Sequence, residues 1–157
     1  MNKRTKENAF SLMELLIVMA IILIVAAIAI PQLASSKKAA NEASAVATMR
    51  VLNSASLAYS STWSTGFPVA LANLGPSNPA TAAAAGLIDS TVASGTKSGY
   101  VFTYVSSAPV NGKIASYSVT AAPTIPGVTG VRYFFSDWSC VIRQNTGAAA
   151  TAASTPL

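Results

Sequence analysis

The hydrophobic pattern of the chain changes most sharply near its beginning. The first nine residues are polar and include three basic side chains, whereas residues 15–30 are all apolar and no charged residue occurs from 15 to 36. About 20 helical residues cross the hydrocarbon core of a bilayer. The pattern therefore predicts a membrane-spanning helix, and the basic residues place its beginning on the cytoplasmic side.

The next stretch, residues 34–59, contains no Gly or Pro and has a helical period. The positions that repeat with a 4-3-4-3 spacing are Ala45, Met49, Leu52, Ser56 and Tyr59. Such a spacing places these side chains on one helix face. We expect one long helix from about residue 10 to residue 59, apolar in its first half and amphipathic in its second half. The apolar face of the second half needs a partner surface.

From Ser60 onward the helical period is lost. Residues 60–99 contain five Gly and three Pro and predict a long connection with one short helix near residues 81–88. Strand patterns follow, and Asn111-Gly112 is typical of a hairpin turn. The expected strands are 100–105, 113–121, 131–135 and 140–143.

The domain organisation follows from these changes. We expect a short basic segment at 1–9, a transmembrane helix at 10–33 and an amphipathic helix at 34–59. A loop-rich sheet domain then covers 60–146, and 147–157 forms a flexible tail. The fold class is α+β, with a three- or four-stranded antiparallel sheet packed on the C-terminal half of the helix, because one face of such a sheet must be covered.

Composition argues against an enzyme. The chain is 52% hydrophobic and only 10% charged, with no His, one Cys and five acids. Imidazole bases, His-containing zinc sites and internal disulfides are thus excluded. Asp89 and Asp137 could contribute to a calcium site, but each stands alone in the sequence. We expect no cofactor and no metal, and Cys140 is either a small buried side chain or an intersubunit bridge.

The apolar run has an alternative interpretation as a secretory signal peptide, with a small-x-small cleavage site at 27–29. Glu14 fits this poorly, because a carboxylate at the edge of an apolar helix is costly to place in a membrane and needs a partner. The Glu14 carboxylate could also reach water at the membrane–water interface.

The residues AFSLME at 9–14, followed by LLIVMAIILIVAAIAIPQL, resemble the N-terminus of type IV pilins and pseudopilins. In that family prepilin peptidase removes a basic leader, and the new N-terminal residue is methylated. The resemblance implies that residues 1–9 are a leader, which is removed by cleavage between Ala9 and Phe10, and that Phe10 is methylated. It also implies that the helix at 10–33 becomes the filament core. Ala9 departs from the family, which usually has Gly there. Pro31 matches a proline that interrupts the first helix, and we expect it to kink or melt the helix near residues 27–30.

The resemblance also implies a role for Glu14 and a set of partners. The carboxylate would pair with the free amine of a neighbouring subunit and set the register of assembly. The partners would be other copies in a helical filament, prepilin peptidase, the membrane and the inner-membrane assembly machinery. The precursor would cross the inner membrane once with its N-terminus in the cytoplasm. After assembly the chain would lie in an extracellular pilus or a periplasm-spanning filament.

Three alternatives stay open. The chain could be a minor pilin or a type II secretion pseudopilin rather than a pilus subunit. It could be an ordinary secreted protein cut after Ala29. It could also be a membrane-anchored module that binds nucleic acid or a surface, which a cluster of basic side chains on one face would support. The candidates for such a cluster are Lys97, Lys113, Arg132 and Arg143.

Overall fold

The structure, a computed structural model, describes residues 10–157. The chain divides into two units, Met1–Ser36 and Lys37–Leu157. The first helix, α1, runs from Leu12 to Thr62 and so contributes to both.

The N-terminal unit is helical from Leu12 onward, and its large apolar side chains are exposed. The helix is long and apolar enough to cross a membrane. Pro31 lies inside it, and residues 27–30 remain helical on its N-terminal side. Local melting therefore does not occur in this structure, because a proline removes only one hydrogen bond and strong helix formers flank it. A kink at Pro31 stays a prediction.

In the C-terminal unit, one face of α1 forms one side of the core. All five residues with the 4-3-4-3 spacing are buried there, as the sequence predicts. The helix continues three residues past Tyr59 to Thr62.

An antiparallel sheet covers this helix face, and buried apolar residues at 71–92 complete the core. Its six strands follow one another in chain order from edge to edge. They are β1 (Thr96–Lys97), β2 (Tyr100–Ser106), β3 (Tyr117–Pro123), β4 (Arg132–Asp137), β5 (Arg143–Thr146) and β6 (Thr155–Pro156). Side chains from β2, β3 and β4 meet the helix, among them Tyr100, Val119 and Phe134. The predicted α+β class, with a sheet on the C-terminal half of the helix, is confirmed.

The predicted number of strands was too low. The two additional strands, β1 and β6, are two residues long and form the sheet edges. Two residues are too few to show an alternating pattern, so only pairing with a neighbour defines such a strand. The last long strand also begins later than predicted, at Arg143 rather than at residue 140, because residues 137–140 form a turn in which Cys140 N–H donates to Asp137 O at 2.8 Å.

The predicted hairpin turn is confirmed. Asn111 and Gly112 have φ of 51° and 75°, and Val110 and Lys113 exchange two backbone hydrogen bonds around them. Positive φ at both central residues is what a type I′ turn requires.

The connection between α1 and the sheet contains a 3₁₀ helix, Leu71–Leu74, and a short helix α2, Ser90–Ala93. The prediction of a helix near residues 81–88 was wrong. The backbone there bonds to the 3₁₀ helix instead, for example Ile88 N–H to Leu74 O at 3.0 Å. An isolated helix of eight residues is too short to be stable, and Gly86 has a positive φ of 66°.

Residues 147–157 are anchored to the sheet. Ala150 is buried, β6 pairs with β5, and Leu157 N–H donates to Ile142 O at 2.9 Å. The sequence, which is small and uncharged in this region, did not indicate these contacts.

Candidate functional site

The segment that resembles a processing site lies at the beginning of the described chain. Ala9 falls outside the described residues, so the cleavage position itself stays a prediction. Phe10 is the first described residue, and its side chain is largely exposed. The helix begins two residues later, at Leu12. The bond between residues 9 and 10 would therefore precede the first helical turn.

Glu14 forms a capping box with Ser11. Ser11 N–H donates to Glu14 Oε2 at 3.0 Å, and Met13 N–H donates to Ser11 Oγ at 3.3 Å. Each bond satisfies a backbone N–H that has no partner within the helix. Sequence reasoning missed Ser11, although a Ser three residues before a Glu, next to an apolar run, is the pattern of a capping box.

The capping box gives Glu14 a partner within its own chain. A carboxylate that accepts a hydrogen bond from a backbone N–H is less costly to place near hydrocarbon than a free one. The same carboxylate can still accept a bond from an amine that approaches from outside. Glu14 can therefore exchange partners without first becoming unpaired.

A second carboxylate, Glu42, joins α1 to the beginning of β4. Its Oε1 accepts from Val131 N–H at 2.8 Å and from Arg132 N–H at 3.2 Å, and its Oε2 accepts from Arg132 Nε at 2.7 Å. Arg132 Nη1 also donates to Gln144 Oε1 at 2.9 Å. Glu42 is only 8% exposed, so its charge is buried but fully hydrogen-bonded.

These contacts shift two pKa values. Burial alone would raise the pKa of Glu42, but the hydrogen bonds from Val131 and Arg132 and the charge of Arg132 outweigh it and lower the pKa below 4.5. Burial and the nearby Glu42 charge raise the pKa of Tyr100 to about 12. Tyr100 OH donates to Arg132 O at 2.9 Å. Glu42, Arg132 and Tyr100 thus connect the helix to the sheet, and we call this set of contacts the Glu42 clamp.

Cys140 borders a buried polar network rather than a reactive site. Asn53 Nδ2 donates to Ser136 Oγ at 2.8 Å, and Tyr117 OH donates to Asn53 Oδ1 at 3.2 Å. The Cys140 Sγ lies 3.9 Å from Tyr117 OH, and the residue is half-buried. Both interpretations of Cys140, packing or an intersubunit bridge, remain compatible with this position.

The four candidate basic residues do not form one patch. Lys97 lies on the edge strand β1 and pairs with Asp89 at 3.8 Å, whereas Arg143 lies on β5, about 19 Å away at the usual strand spacing. Arg132 is engaged with Glu42, and Lys113 follows the hairpin turn at the other end of the sheet. The geometry expected of a nucleic-acid surface is absent from the described residues.

The two isolated aspartates have structural roles. Asp89 caps α2, where its Oδ1 accepts from Val92 N–H at 2.7 Å. Asp137 accepts from Ser139 N–H at 2.9 Å and closes a turn. Within residues 10–157 no three metal-ligating side chains come together.

Comparison with known families decides the class of the N-terminal segment. Residues 4–30 match the prokaryotic N-terminal methylation motif. The chain carries the type IV pilin and pseudopilin signature. No curated protein and no solved structure matches the chain.

The signature accounts for the geometry at the beginning of α1. It ends at residue 30, directly before Pro31, and contains both the exposed apolar helix and Glu14. A helix with apolar side chains exposed on every side needs a membrane or other helices around it. The signature thus points to a membrane-anchored precursor and to a structural subunit rather than an enzyme.

Proposed function

We propose that the chain is a prepilin, the precursor of a structural subunit in a type IV pilus-like surface filament. Prepilin peptidase cuts it between Ala9 and Phe10, and Phe10 is then N-methylated. The processed subunits leave the inner membrane and stack through their apolar helices, while the sheet units form the filament surface.

One observation carries this proposal: the methylation motif includes the first part of an exposed apolar helix. A secretory signal peptide would be removed, and its helix would serve no purpose in the mature protein. In a prepilin the same helix first anchors the subunit and later packs against its copies. Contacts of this head-to-tail kind do not close on themselves, so they extend into a fibre.

Glu14 sets the register of assembly in this proposal. Cleavage creates a free amine at Phe10, and an amine and a carboxylate attract strongly where the dielectric constant is low. Before cleavage the carboxylate is held by Ser11 N–H. Assembly replaces or supplements this contact with the amine of a neighbouring subunit.

The experiment is mass spectrometry of filaments sheared from cells that express the chain. A dominant peptide that begins with methylated Phe10 supports a major pilus subunit. The same peptide found only in the membrane fraction supports a minor pilin or a type II secretion pseudopilin instead. A mature chain that begins at Ile30 contradicts the whole proposal and identifies a conventional secreted protein.

A further inference from the structure

The loop between β3 and β4, residues 124–131, carries an exposed apolar tip. The tip consists of Ile125, Pro126 and Val128, and Val128 is 65% exposed. No charged residue occurs between Lys113 and Arg132. Because the three side chains share one short loop, they offer a small apolar surface that contact with another apolar phase would cover.

The loop is held in one conformation by its own hydrogen bonds. Ile125 O accepts from Thr129 N–H at 2.9 Å, and Gly127 N–H donates to Gly130 O at 2.8 Å. Thr129 Oγ1 also accepts from Ile125 N–H at 3.1 Å. The tip is therefore already ordered, and binding through it loses little conformational entropy.

Two side chains at the beginning of the C-terminal unit tie this loop to α1. Asn41 Nδ2 donates to Thr129 O at 2.9 Å, and Val131 N–H donates to Glu42 Oε1 at 2.8 Å. Asn41 follows Leu33, where the apolar segment ends, by eight positions. Eight residues span at most about 28 Å when fully extended and about 12 Å as a helix. Asn41, which holds the loop, is therefore joined to the end of the apolar segment by only this short length of chain.

Charge favours one kind of partner surface. Lys37 and Lys38 lie between Leu33 and Asn41, so positive charge accompanies the tip. A second copy of the C-terminal unit offers only three acids. Glu42 is paired with Arg132, Asp89 with Lys97, and Asp137 closes its own turn. Anionic lipid headgroups, by contrast, attract juxtamembrane lysines directly.

We propose that the apolar tip and the two lysines dock on the surface of the bilayer that holds the precursor, with anionic lipid as the partner. This rests on the proposed function, since it requires a membrane-anchored precursor. Docking fixes the C-terminal unit against the membrane before assembly. The contact must then break when the subunit leaves the membrane.

The test uses the full-length precursor in vesicles of phosphatidylcholine with about 30% phosphatidylglycerol. A fluorescent label is placed at Val128→Cys, with Cys140→Ser to remove the native thiol, and is quenched by a lipid that carries a nitroxide near its headgroup. The matched control is Val110→Cys. Val110 is the same residue type and is 67% exposed, but it lies in the β2–β3 connection at the opposite end of these strands.

We expect quenching at position 128 to be at least about twofold stronger than at position 110. Replacing both lysines with glutamine, or removing the anionic lipid, should reduce the quenching at 128. Equal quenching at the two positions overturns the proposal. So does a label at 128 that becomes shielded only as the protein-to-lipid ratio rises, because that result identifies a second copy as the partner.

A third label separates this inference from the proposed function. Ile22→Cys lies in the apolar segment and should be quenched by a nitroxide placed deep in the bilayer. Quenching at 22 without quenching at 128 overturns only the docking contact. Failure of quenching at 22 contradicts membrane insertion, and with it the prepilin proposal. Circular dichroism of each labelled protein shows that the helix and sheet are intact.

Discussion

At the scale of single residues, two glutamates on the same helix have opposite surroundings. Glu42 is buried and accepts three hydrogen bonds, two of them from backbone N–H groups. Glu14 is exposed and accepts one, from Ser11 N–H. A fully bonded carboxylate stabilises a fold, whereas a carboxylate with free acceptor capacity can take a new partner. Glu42 therefore serves folding, whereas Glu14 has the free acceptor capacity that its proposed role in assembly requires.

Glu42→Gln tests the folding role. The amide keeps the shape of the side chain but loses the negative charge to which Arg132 and two backbone N–H groups donate hydrogen bonds. We therefore expect the free energy of unfolding to fall by about 2 kcal/mol. Lys37→Gln is the matched control, since this lysine is exposed and its loss should change stability by less than about 0.5 kcal/mol. Urea unfolding of the full chain in detergent measures both. Equal effects of the two substitutions would contradict the clamp.

The pH dependence of the same contact has a defined sign. The pKa of Glu42 is lower in the folded chain than its ordinary value of 4.5, so the unfolded chain binds the proton more readily. The stabilisation is complete above pH 4.5 and is lost as the pH falls through the lowered pKa. The stability difference between the natural chain and Glu42→Gln should therefore shrink below pH 4.5 in urea titrations. A difference that stays constant down to acidic pH would show that the charge is not involved.

For Glu14 the decisive comparison is between glutamine and alanine. Glu14→Gln retains an oxygen that can accept from Ser11 N–H but removes the charge, whereas Glu14→Ala removes both. If the charge sets register, both variants should be cleaved after Ala9 and both should fail to form filaments. Mass spectrometry reports cleavage, and the yield of sheared filaments reports assembly. Normal filaments from Glu14→Gln would assign the role to the helix cap instead.

At the scale of elements, the second half of α1 has two distinct faces. Met49 is fully buried against the sheet, whereas Val51, two positions later, is 48% exposed. The spacing of apolar residues predicts this division, because residues two positions apart point to different sides of a helix.

Met49→Ala and Val51→Ala measure the difference between these faces. We expect Met49→Ala to lower the free energy of unfolding by about 3 kcal/mol, through lost burial and the cavity that it leaves. Val51→Ala should change it by less than about 1 kcal/mol. Chemical denaturation of the two variants under the same conditions provides the measurement. Similar losses would mean that both faces are covered in solution.

The sequence predicts those elements whose pattern is local. The period of α1 and the Asn111-Gly112 turn could be recognised because spacing and backbone preference act within a few residues. The edge strands could not, because two residues show no alternating pattern. The anchoring of residues 147–157 could not, because it depends on pairing with β5 and not on a local pattern. The capping box at Ser11 could also have been recognised from the sequence, because Ser11 and Glu14 have the required spacing. The bonds of Glu42 to Val131 and Arg132 were not, because they join residues about 90 positions apart.

At the scale of the whole molecule, packing, hydrogen bonds and two ion pairs stabilise the part of the chain that the structure describes. The single Cys140 cannot form an internal disulfide, and no group of metal-ligating side chains occurs in the part of the chain that the structure describes. The helix face, the sheet and the Glu42 clamp therefore hold the C-terminal unit together.

Neither a chelator nor a reductant should affect the folded monomer. We expect EDTA and dithiothreitol each to shift the Tm of the processed subunit in detergent by less than about 1 °C, since about 1 kcal/mol shifts Tm by several degrees for a chain of this size. Cys140→Ser serves as the control for any effect of the reductant. A large fall in Tm with EDTA would contradict this expectation and reveal a metal site that two subunits share.

The two-residue strands at both sheet edges affect what kind of polymer the chain can form. One edge carries Pro156, which has no N–H to donate. Each edge strand itself consequently offers a neighbouring copy only two residues of backbone along which a sheet could extend from one molecule to the next. Crowding many copies together thus does not promote cross-β aggregation through these edges. Subunits that associate through helices alone can separate again as intact folded molecules.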